Sequence, residues 1–300
     1  MILSRSKSSL SGGEALLGAA FLFAITNVLV REMAHMWGDQ AQIAVRFALV
    51  WLILFVYARF KGEKASIPRS KMLPVIIYSV LAAISILFFT LSVQMTTIAN
   101  TLFMSNATEL VVAFLLGTLL LREKLSSKKL IAIGLSLAGL ALYSGALLSG
   151  NAGLVFGLLA GATVGFCNLL AKQLKGVNLT AILRVQFGLG TILMIALTLF
   201  FSPNDIVRTV SVEGTAVTIL FALVLIAATH LVLYGFQHFD VNIASVVLSS
   251  QLAIGALLGF FIYQEVPAPN EIISGVLIAC AAVVGSMGYK STAKDVQVHS

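Results

Sequence analysis

The sequence predicts an all-α membrane protein with ten transmembrane helices, arranged as two inverted repeats of five helices, with both termini in the cytoplasm. Three observations predict this fold: an apolar composition, a series of long apolar runs and an internal repeat. Hydrophobic residues make up 59% of the chain and charged residues only 10%, whereas a soluble domain carries about 25% charged residues. The composition therefore excludes an ordinary soluble protein and makes the lipid bilayer a partner of the chain.

Ten apolar runs are long enough to cross a bilayer, which takes about 20 residues for about 30 Å of hydrocarbon. The predicted spans are 12–31, 40–60, 71–94, 97–121, 128–147, 153–173, 178–201, 214–237, 241–263 and 270–289. Because the connections between these runs are short, we expect neighbouring helices to run antiparallel. No soluble domain has room to fold between them.

The second half of the chain repeats the first. Asn27–Glu32 returns as Asn168–Gln173, and Leu121–Lys124 returns as Tyr263–Val266. The repeat divides the chain into a cytoplasmic tail at 1–11, a first repeat at 12–150, a second repeat at 151–289 and a second tail at 290–300. Since each repeat holds an odd number of spans, the second repeat must enter the membrane from the opposite face.

The distribution of positive charge orients the predicted bundle. If the N-terminus is cytoplasmic, fifteen of the 19 Lys and Arg residues fall on the cytoplasmic side: Arg5, Lys7, Arg59, Lys61, Lys64, Arg69, Lys71, Arg122, Lys124, Lys128, Lys129, Lys172, Lys175, Lys290 and Lys294. The positive-inside rule then places both termini in the cytoplasm. Topology accounts for the net charge of +7, so we predict no nucleic-acid partner.

Several features occur in a recognisable order. Thr26-Asn27 and Cys167-Asn168 lie midway along the first helix of each half, Arg46 and Arg184 lie early in the second, and Glu123 and Glu265 lie in the hairpins between the last two. Over residues 12–289 this order resembles the EamA-like branch of the drug/metabolite transporter superfamily. Within that branch the chain is most similar to amino-acid exporters, particularly those for aromatic amino acids. The fourth span departs from the usual pattern, because Asn106–Glu109 stands where a proline commonly sits.

This resemblance implies a secondary transporter that exports amino acids, with aromatic ones favoured, across a bacterial inner membrane by alternating access. Two alternatives remain open. One is a multidrug or other small-metabolite exporter of the same superfamily, and the other is a membrane enzyme or scaffold without transport activity. The sequence leaves open whether the protein is a monomer or a homo-oligomer.

Polar residues form a stripe on each of two corresponding spans. Thr97, Thr101, Ser105 and Glu109 recur every four residues on the fourth span, and Asn242, Ser245 and Ser249 share a face of the ninth. Intramembrane polar groups usually face the bundle interior or a water-filled cavity. The stripes therefore predict a shared cavity. The alternative is that the hydroxyl groups bond to carbonyls of their own helices or join neighbouring helices.

Two titratable residues stand inside predicted spans. Glu109 is the acidic residue that falls well within one, so it is a candidate site for a proton or for the amine of a substrate. His230 lies midway along the eighth span and is a second candidate. For each of them the alternative is a structural residue that is hydrogen-bonded within the bundle.

The remaining candidates are aromatic and amide side chains. Tyr78, Ser85 and Phe89 share a face of the third span, Tyr234 lies one turn beyond His230, and Asn27 and Asn168 occupy matched repeat positions. These side chains either contact a substrate or pack helices together. The predicted substrate-binding residues are thus Asn27, Tyr78, Ser85, Phe89, Thr101, Ser105, Glu109, Asn168, His230, Tyr234, Ser245 and Ser249.

Other conspicuous residues are predicted to be structural. We expect Arg46 and Arg184 to extend to an interface or to cap carbonyls, and Glu123 and Glu265 to accept backbone N–H bonds at their turns. The glycine series 153, 157, 161 and 165 predicts a face at which helices approach closely.

Missing motifs exclude several kinds of activity. No Walker-type phosphate loop is present, no G-x-S-x-G elbow occurs, and the histidines lack H-x-x-x-H spacing. Cys167 and Cys280 lie far apart in apolar runs and are interpreted as fillers. We therefore predict no enzymatic activity, no cofactor and no metal site.

Overall fold

A computed structural model describes residues 12–62, 67–120, 127–142, 150–238, 241–266 and 268–286 of the chain. These residues are helical almost throughout. In chain order the helices are α1 Gly12–Ala34, α2 Ala41–Lys61, α3 Arg69–Met95, α4 Ile98–Leu119, α5 Ser127–Ala141, α6 Ala152–Gln173, α7 Leu179–Phe201, α8 Val212–His238, α9 Val241–Leu248, α10 Gln251–Tyr263 and α11 Pro269–Ser286. The all-helical prediction is confirmed for the described residues, and both predicted tails, 1–11 and 290–300, lie outside them.

Seven of the described helices are long and apolar enough to cross a membrane, namely α1 to α4 and α6 to α8. The helices α5, α10 and α11 are apolar but contribute shorter segments, at Leu130–Gly139, Gln251–Tyr263 and Ile272–Ala281. A multi-pass membrane protein is therefore shown. The count of ten spans stays a prediction, because seven helices meet the length required for a complete crossing.

The ninth predicted span, 241–263, is divided into two helices. Helix α9 ends at Leu248 and α10 begins at Gln251. At the junction the backbone N–H groups of Ser250 and Leu252 bond to carbonyls three residues earlier, and the Ser249 hydroxyl donates to the Ser245 carbonyl at 2.8 Å. Such local bonds compete with the regular helical pattern, so the continuous apolar run does not form one continuous helix.

The packing of the helices is the same when the two halves are exchanged. Helix α1 packs on α8 as α3 packs on α6, while α2 pairs with α7 and α5 pairs with α11. Helix α4 lies against α6, and the corresponding α9 and α10 lie against α1. An arrangement in which each half packs on the other is the one expected of two structural repeats around a shared centre.

The predicted glycine face is the interface between α4 and α6. A methyl group at Gly161 would overlap the Ser105 backbone carbonyl, and one at Gly165 would lie 2.6 Å from the Val112 side chain. The two helices therefore approach closely because these positions carry no side chain.

Two loops join at one end of the bundle, which we call the clamp end. Trp37 in the loop between α1 and α2 forms an antiparallel bridge with Val207 in the loop between α7 and α8. Arg208 from the second loop bonds to Asp205 and reaches Asp39 in the first, with N–O distances of 2.7 and 3.0 Å. These contacts hold a loop of the first half against a loop of the second.

Candidate functional site

A buried carboxylate lies between the two halves of the bundle. Glu109 Oε1 on α4 accepts a hydrogen bond of 2.7 Å from Asn168 Nδ2 on α6. Ser245 on α9 lies 3.5 Å from the same Asn168 nitrogen, and its hydroxyl also bonds to the Glu109 carboxylate. The exposed fractions of Glu109, Asn168 and Ser245 are 4%, 6% and 0%. We call these three residues the Glu109 cluster.

The glycine face explains why these side chains meet. Asn168 follows Gly165 by three residues and so lies on the same face of α6, towards α4. A Cβ atom at Gly165 would lie 3.4 Å from the Glu109 carbonyl oxygen. Because the two backbones are this close, the short amide side chain of Asn168 reaches the carboxylate of Glu109.

Two further buried residues surround the cluster. Cys167, which precedes Asn168 on α6, lies near Glu109, and Tyr78 on α3 lies near Cys167. Both side chains are buried. Within the part of the chain that the structure describes, the hydrogen-bond partners of Glu109 are neutral and no cation pairs with it. A carboxylate in this setting can bind a proton or a cationic group of a ligand.

The other amide of the matched pair has a different environment. Asn27 on α1 is buried, and its Nδ2 atom has no hydrogen-bond partner among the described residues. Helix α10 lies beside it, since a Cβ atom at Gly255 would be 3.5 Å from Asn27 Nδ2. The structure therefore places Asn27 outside the Glu109 cluster.

Several hydroxyl groups among the predicted substrate-binding residues bond to carbonyls of their own helices. Ser85 donates to Ala82 O at 2.9 Å, and Ser105 donates to Leu102 O at 3.3 Å. The hydroxyls of Thr101 and Ser92 lie 2.9 Å apart, and Ser92 donates to Gly153 O at 2.7 Å. In this conformation the contacts of Ser85, Ser105 and Ser249 are those of the structural alternative, and Thr101 helps to join three helices.

The candidates on α8, and Phe89 on α3, are partly buried. His230 Nδ1 lies 3.0 Å from the Ile226 carbonyl oxygen, and the Tyr234 ring stacks on His238 with centroids 4.2 Å apart. Phe89 packs against the apolar core. Of the predicted substrate-binding residues, the structure thus brings Glu109, Asn168 and Ser245 together, with Tyr78 nearby.

Arg46 is a buried polar residue that the sequence analysis interpreted as interfacial or capping. Its Nε atom donates to Gln42 O at 3.2 Å, and its Nη2 atom donates to Thr90 Oγ1 on α3 at 2.8 Å. The guanidinium lies 4.7 Å from the centre of the Phe221 ring on α8. Arg46 does cap a carbonyl, but it is only 1% exposed, so it points into the bundle. The i, i+4 pairs Gln42/Arg46 and Thr90/Gln94 in successive spans are the sequence signal that could have shown this.

Glu265 is bonded more widely than a turn residue. It pairs with Arg31 at the end of α1 and accepts a 3.2 Å bond from the Ile98 backbone N–H at the start of α4. Beside this pair, the Tyr263 hydroxyl donates to Glu32 Oε1 at 2.7 Å. The predicted backbone bond is therefore present, but it reaches another hairpin. Glu123 lies outside the described residues.

A groove of about 530 Å³ lies between α2 and α7. Trp51, Arg184 and Thr191 contribute the polar atoms of its wall, and apolar side chains supply the rest. Arg184 lies 5.5 Å from the Phe55 ring centre. None of the predicted substrate-binding residues lines this groove. Over the described ranges, no group of three or more His, Cys, Asp or Glu side chains could hold a metal ion.

Comparison with known families decides the kind of protein. The sequence matches the EamA-like transporter family twice, over residues 11–145 and 151–287. The chain belongs to the EamA-like transporter family. It is therefore a small-molecule transporter of the drug/metabolite superfamily type, and members of this family are transporters and not enzymes. The family resemblance noted from the sequence is confirmed at this level.

Other comparisons support the fold of this EamA-like transporter. A solved crystal structure shares 15% sequence identity with it at a TM-score of 0.70, covering 93% of this chain and 99% of that chain. At this identity the likeness concerns the fold alone. No curated protein matches the sequence.

Proposed function

We propose that this EamA-like transporter is a secondary transporter that exports amino acids, with aromatic ones favoured, across a bacterial inner membrane by alternating access. The Glu109 cluster is the observation that carries the proposal. It places one carboxylate, bonded only to neutral groups, at the contact between helices of both repeats.

The chemistry of the cluster suits a ligand with an ammonium group. An isolated charge in the membrane interior is costly, by about 2.5–3.5 kcal/mol on insertion scales. A proton or a ligand ammonium group removes that cost by neutralising Glu109. Since the carboxylate takes one or the other, binding of substrate displaces a proton. The cycle that follows is exchange of an exported amino acid for an imported proton.

The neighbouring residues suit an apolar or aromatic side chain. Tyr78 and Cys167 lie close to the cluster and are buried. An aromatic ring gains from offset or edge-to-face contact with another ring. Tyr78 is thus the side chain that favours aromatic substrates.

The topology proposed for transport is ten spans in two inverted repeats, with both termini in the cytoplasm. The lysine and arginine distribution and the exchange symmetry of the helix packing support it. In this topology the clamp end faces away from the cytoplasm, and the Glu109 cluster lies near the middle of the membrane. The break between α9 and α10 supplies a hinge beside the cluster.

The direct test is transport in proteoliposomes. Purified protein is reconstituted with labelled phenylalanine, tryptophan, leucine and a cationic dye, with and without an imposed pH gradient. We expect the wild type to move aromatic amino acids against their gradient only when protons can flow the other way. Glu109→Gln should abolish this uphill flux, whereas the control Glu213→Gln, at an exposed position in the first turn of α8, should retain it. Transport of the dye alone would overturn the amino-acid proposal.

A further inference from the structure

Arg46 carries a buried positive charge, and no anion pairs with it among the residues that the structure describes. Its partners there are a carbonyl, a hydroxyl and an aromatic ring. A buried charge is costly unless a counter-charge and further hydrogen bonds compensate it. Neutral acceptors compensate only part of that cost. A site that retains such a charge is a candidate for binding an anion.

Unpartnered amides lie next to this charge. Gln42 is 0% exposed, and neither its Nε2 nor its Oε1 atom has a hydrogen-bond partner in the described part of the chain. The same holds for both side-chain atoms of Gln94, which are enclosed. Buried polar groups are nearly always hydrogen-bonded. The four unsatisfied amide atoms of Gln42 and Gln94 are therefore available to hydrogen-bond a bound ligand.

Helix geometry places these amides on one side of the guanidinium. Gln42 precedes Arg46 by one turn on α2, and Gln94 follows Thr90 by one turn on α3. The Arg46–Thr90 bond fixes the two helices in register. Because α2 and α3 run antiparallel, both glutamines lie one turn from this bond towards the clamp end.

We propose that Gln42, Arg46, Thr90 and Gln94 form a second binding station, which takes the carboxylate group of the transported solute. A guanidinium presents parallel N–H donors that match the two oxygens of a carboxylate. The amide nitrogens of Gln42 and Gln94 add two more donors from the clamp end. Helix α2 packs mainly on α7, and α3 mainly on α6 and α7, so the long Arg46 side chain spans the space between α2 and α3.

This station is separate from the Glu109 cluster. Both α2 and α4 begin at the clamp end, and Arg46 is five residues into α2 while Glu109 is eleven residues into α4. At about 1.5 Å per residue the two side chains start about 9 Å apart in depth. The ammonium and carboxylate of one α-amino acid share a single carbon and cannot reach both. The Arg46 station is therefore a second binding site for the carboxylate, between the centre of the bundle and the clamp end.

The inference that the anion is a solute carboxylate rests on the proposed export of amino acids, so its test uses split probes. The full-length protein in nanodiscs is titrated with 3-phenylpropanoate, which lacks the amine, and with 2-phenylethylammonium, which lacks the carboxylate. We expect Arg46→Gln to weaken 3-phenylpropanoate binding at least ten-fold and to leave 2-phenylethylammonium binding unchanged. Glu109→Gln should do the reverse. Arg184→Gln is the matched control and should change neither.

A second pair of variants removes the amides without breaking any hydrogen bond that the structure shows. Gln42→Leu and Gln94→Leu should keep the melting temperature of the wild type and weaken 3-phenylpropanoate binding several-fold. These variants keep the test decisive if Arg46→Gln does not fold. Wild-type binding of 3-phenylpropanoate that survives all three changes would overturn the station. A wild type that binds no 3-phenylpropanoate would overturn the station as well.

Failure of the transport proposal gives a different pattern. If the wild type moves no amino acid but binds 3-phenylpropanoate through Arg46, the station stands and the solute is another carboxylate. If amino acids are transported and the Arg46 variants bind 3-phenylpropanoate normally, the transport proposal stands and the station is wrong.

Discussion

Asn27 and Asn168 occupy matched positions in the two repeats, yet their side chains are used differently. Asn168 bonds to a buried carboxylate, whereas Asn27 Nδ2 has no partner in the described part of the chain. The match of Leu121–Lys124 with Tyr263–Val266, extended back along the helix, makes Gln251 the residue equivalent to Glu109 in the second repeat. Gln251 bonds to Asn106 instead. The repeats thus supply two similar frames, of which one carries an ionisable side chain at this position.

The helices that carry these residues also differ between the two halves, in continuity and in how closely they pack. Helix α4 is continuous, while its counterpart is broken into α9 and α10. On α6 the glycines at 157, 161 and 165 let α4 approach, and the matched positions on α1 are Leu16, Ala20 and Ala24. Larger side chains keep backbones further apart. The α4–α6 contact is therefore the tight one, and we expect the contact of α1 with α9 and α10 to be the one that changes during transport.

The second helices of the two halves show a third difference. Arg46 is buried against α3 and α8, whereas Arg184 lines an open groove beside Phe55. An arginine in an open groove can extend to the interface, as expected of both from the sequence. An arginine enclosed by three helices cannot. The interfacial role expected from the sequence thus fits Arg184 only, whereas Arg46 takes the other expected role and caps the Gln42 carbonyl.

Exchanging the charged and neutral residues between the halves is the strongest test of this comparison. Glu109→Gln should abolish proton-driven flux and weaken solute binding about ten-fold or more, since a charge-assisted bond is worth about 1.5–3 kcal/mol. The double variant Glu109→Gln, Gln251→Glu has one carboxylate again, now in the second half. There it would lie beside Asn106, and Asn168 and Ser245 would not be its partners. We expect flux in proteoliposomes to stay low in the double variant. Recovery to wild-type rates would show that the two frames are equivalent.

The tight contact predicts the largest loss of stability. Gly161→Ala places a methyl group against the Ser105 backbone, which cannot move as a flexible side chain can. Overpacking of this kind costs about 1–3 kcal/mol. The purified variant should therefore melt several degrees below the wild type. Gly134→Ala is the control, because a Cβ atom there meets nothing within 4 Å. Equal melting temperatures for Gly161→Ala and the wild type would mean that α4 and α6 are not in close contact.

Arg46 predicts a change of stability in the opposite direction. Replacing a buried charge with an apolar side chain of similar length is often neutral or stabilising, by about 1–4 kcal/mol for buried ion pairs. Thr90 can turn its hydroxyl to a carbonyl of its own helix. We expect Arg46→Met to melt at or above the wild-type temperature, with a free energy of unfolding higher by about 1 kcal/mol. Amino-acid export should fall in the same variant. Arg184→Met should change neither. A strongly destabilised Arg46→Met would make Arg46 a structural residue.

The sequence predicts Glu109 because a carboxylate stands out in an apolar run, whatever surrounds it. It does not predict the burial of Arg46, since an arginine early in a span suits the interface equally well until Thr90 and Phe221 close over it. The roles of Ser85, Ser105 and Ser249 could not be predicted from the sequence either. A serine in a helix can always bond to a carbonyl of its own helix, whether or not it also faces a cavity. The break after Leu248 is invisible for a related reason: the run from 241 to 263 has the apolar character of one span, and the break comes from local bonding of serines.

The ion pairs of Arg208 at the clamp end also join the two halves, and we expect their removal to have the smallest effect on stability. Arg208 donates two hydrogen bonds to Asp205, of 2.9 and 2.7 Å, and these bonds hold the pKa of that carboxyl below its usual range. A lowered carboxyl pKa adds stability above the ordinary value of about 3.9 and loses it as the pH falls through the folded value. Both side chains are more than a third exposed, so solvent screening reduces the contribution of the pair to a few tenths of a kcal/mol, within the usual range of about 0–1 kcal/mol.

Arg208→Ala should therefore lower the melting temperature only slightly at pH 7. The difference from the wild type should shrink as the pH falls below the ordinary carboxyl value of about 3.9, and it should vanish in about 1 M salt, where the Debye length is about 3 Å. Thermal melts at these pH values and salt concentrations measure it. A large loss at pH 7 that persists in high salt would contradict a weak, screened clamp. Arg208 also donates a hydrogen bond to the Ala34 carbonyl, near the backbone bridge of Trp37 with Val207. A large loss that salt does not reduce would therefore mean that this backbone bridge, and not the ion pair, holds the two halves together.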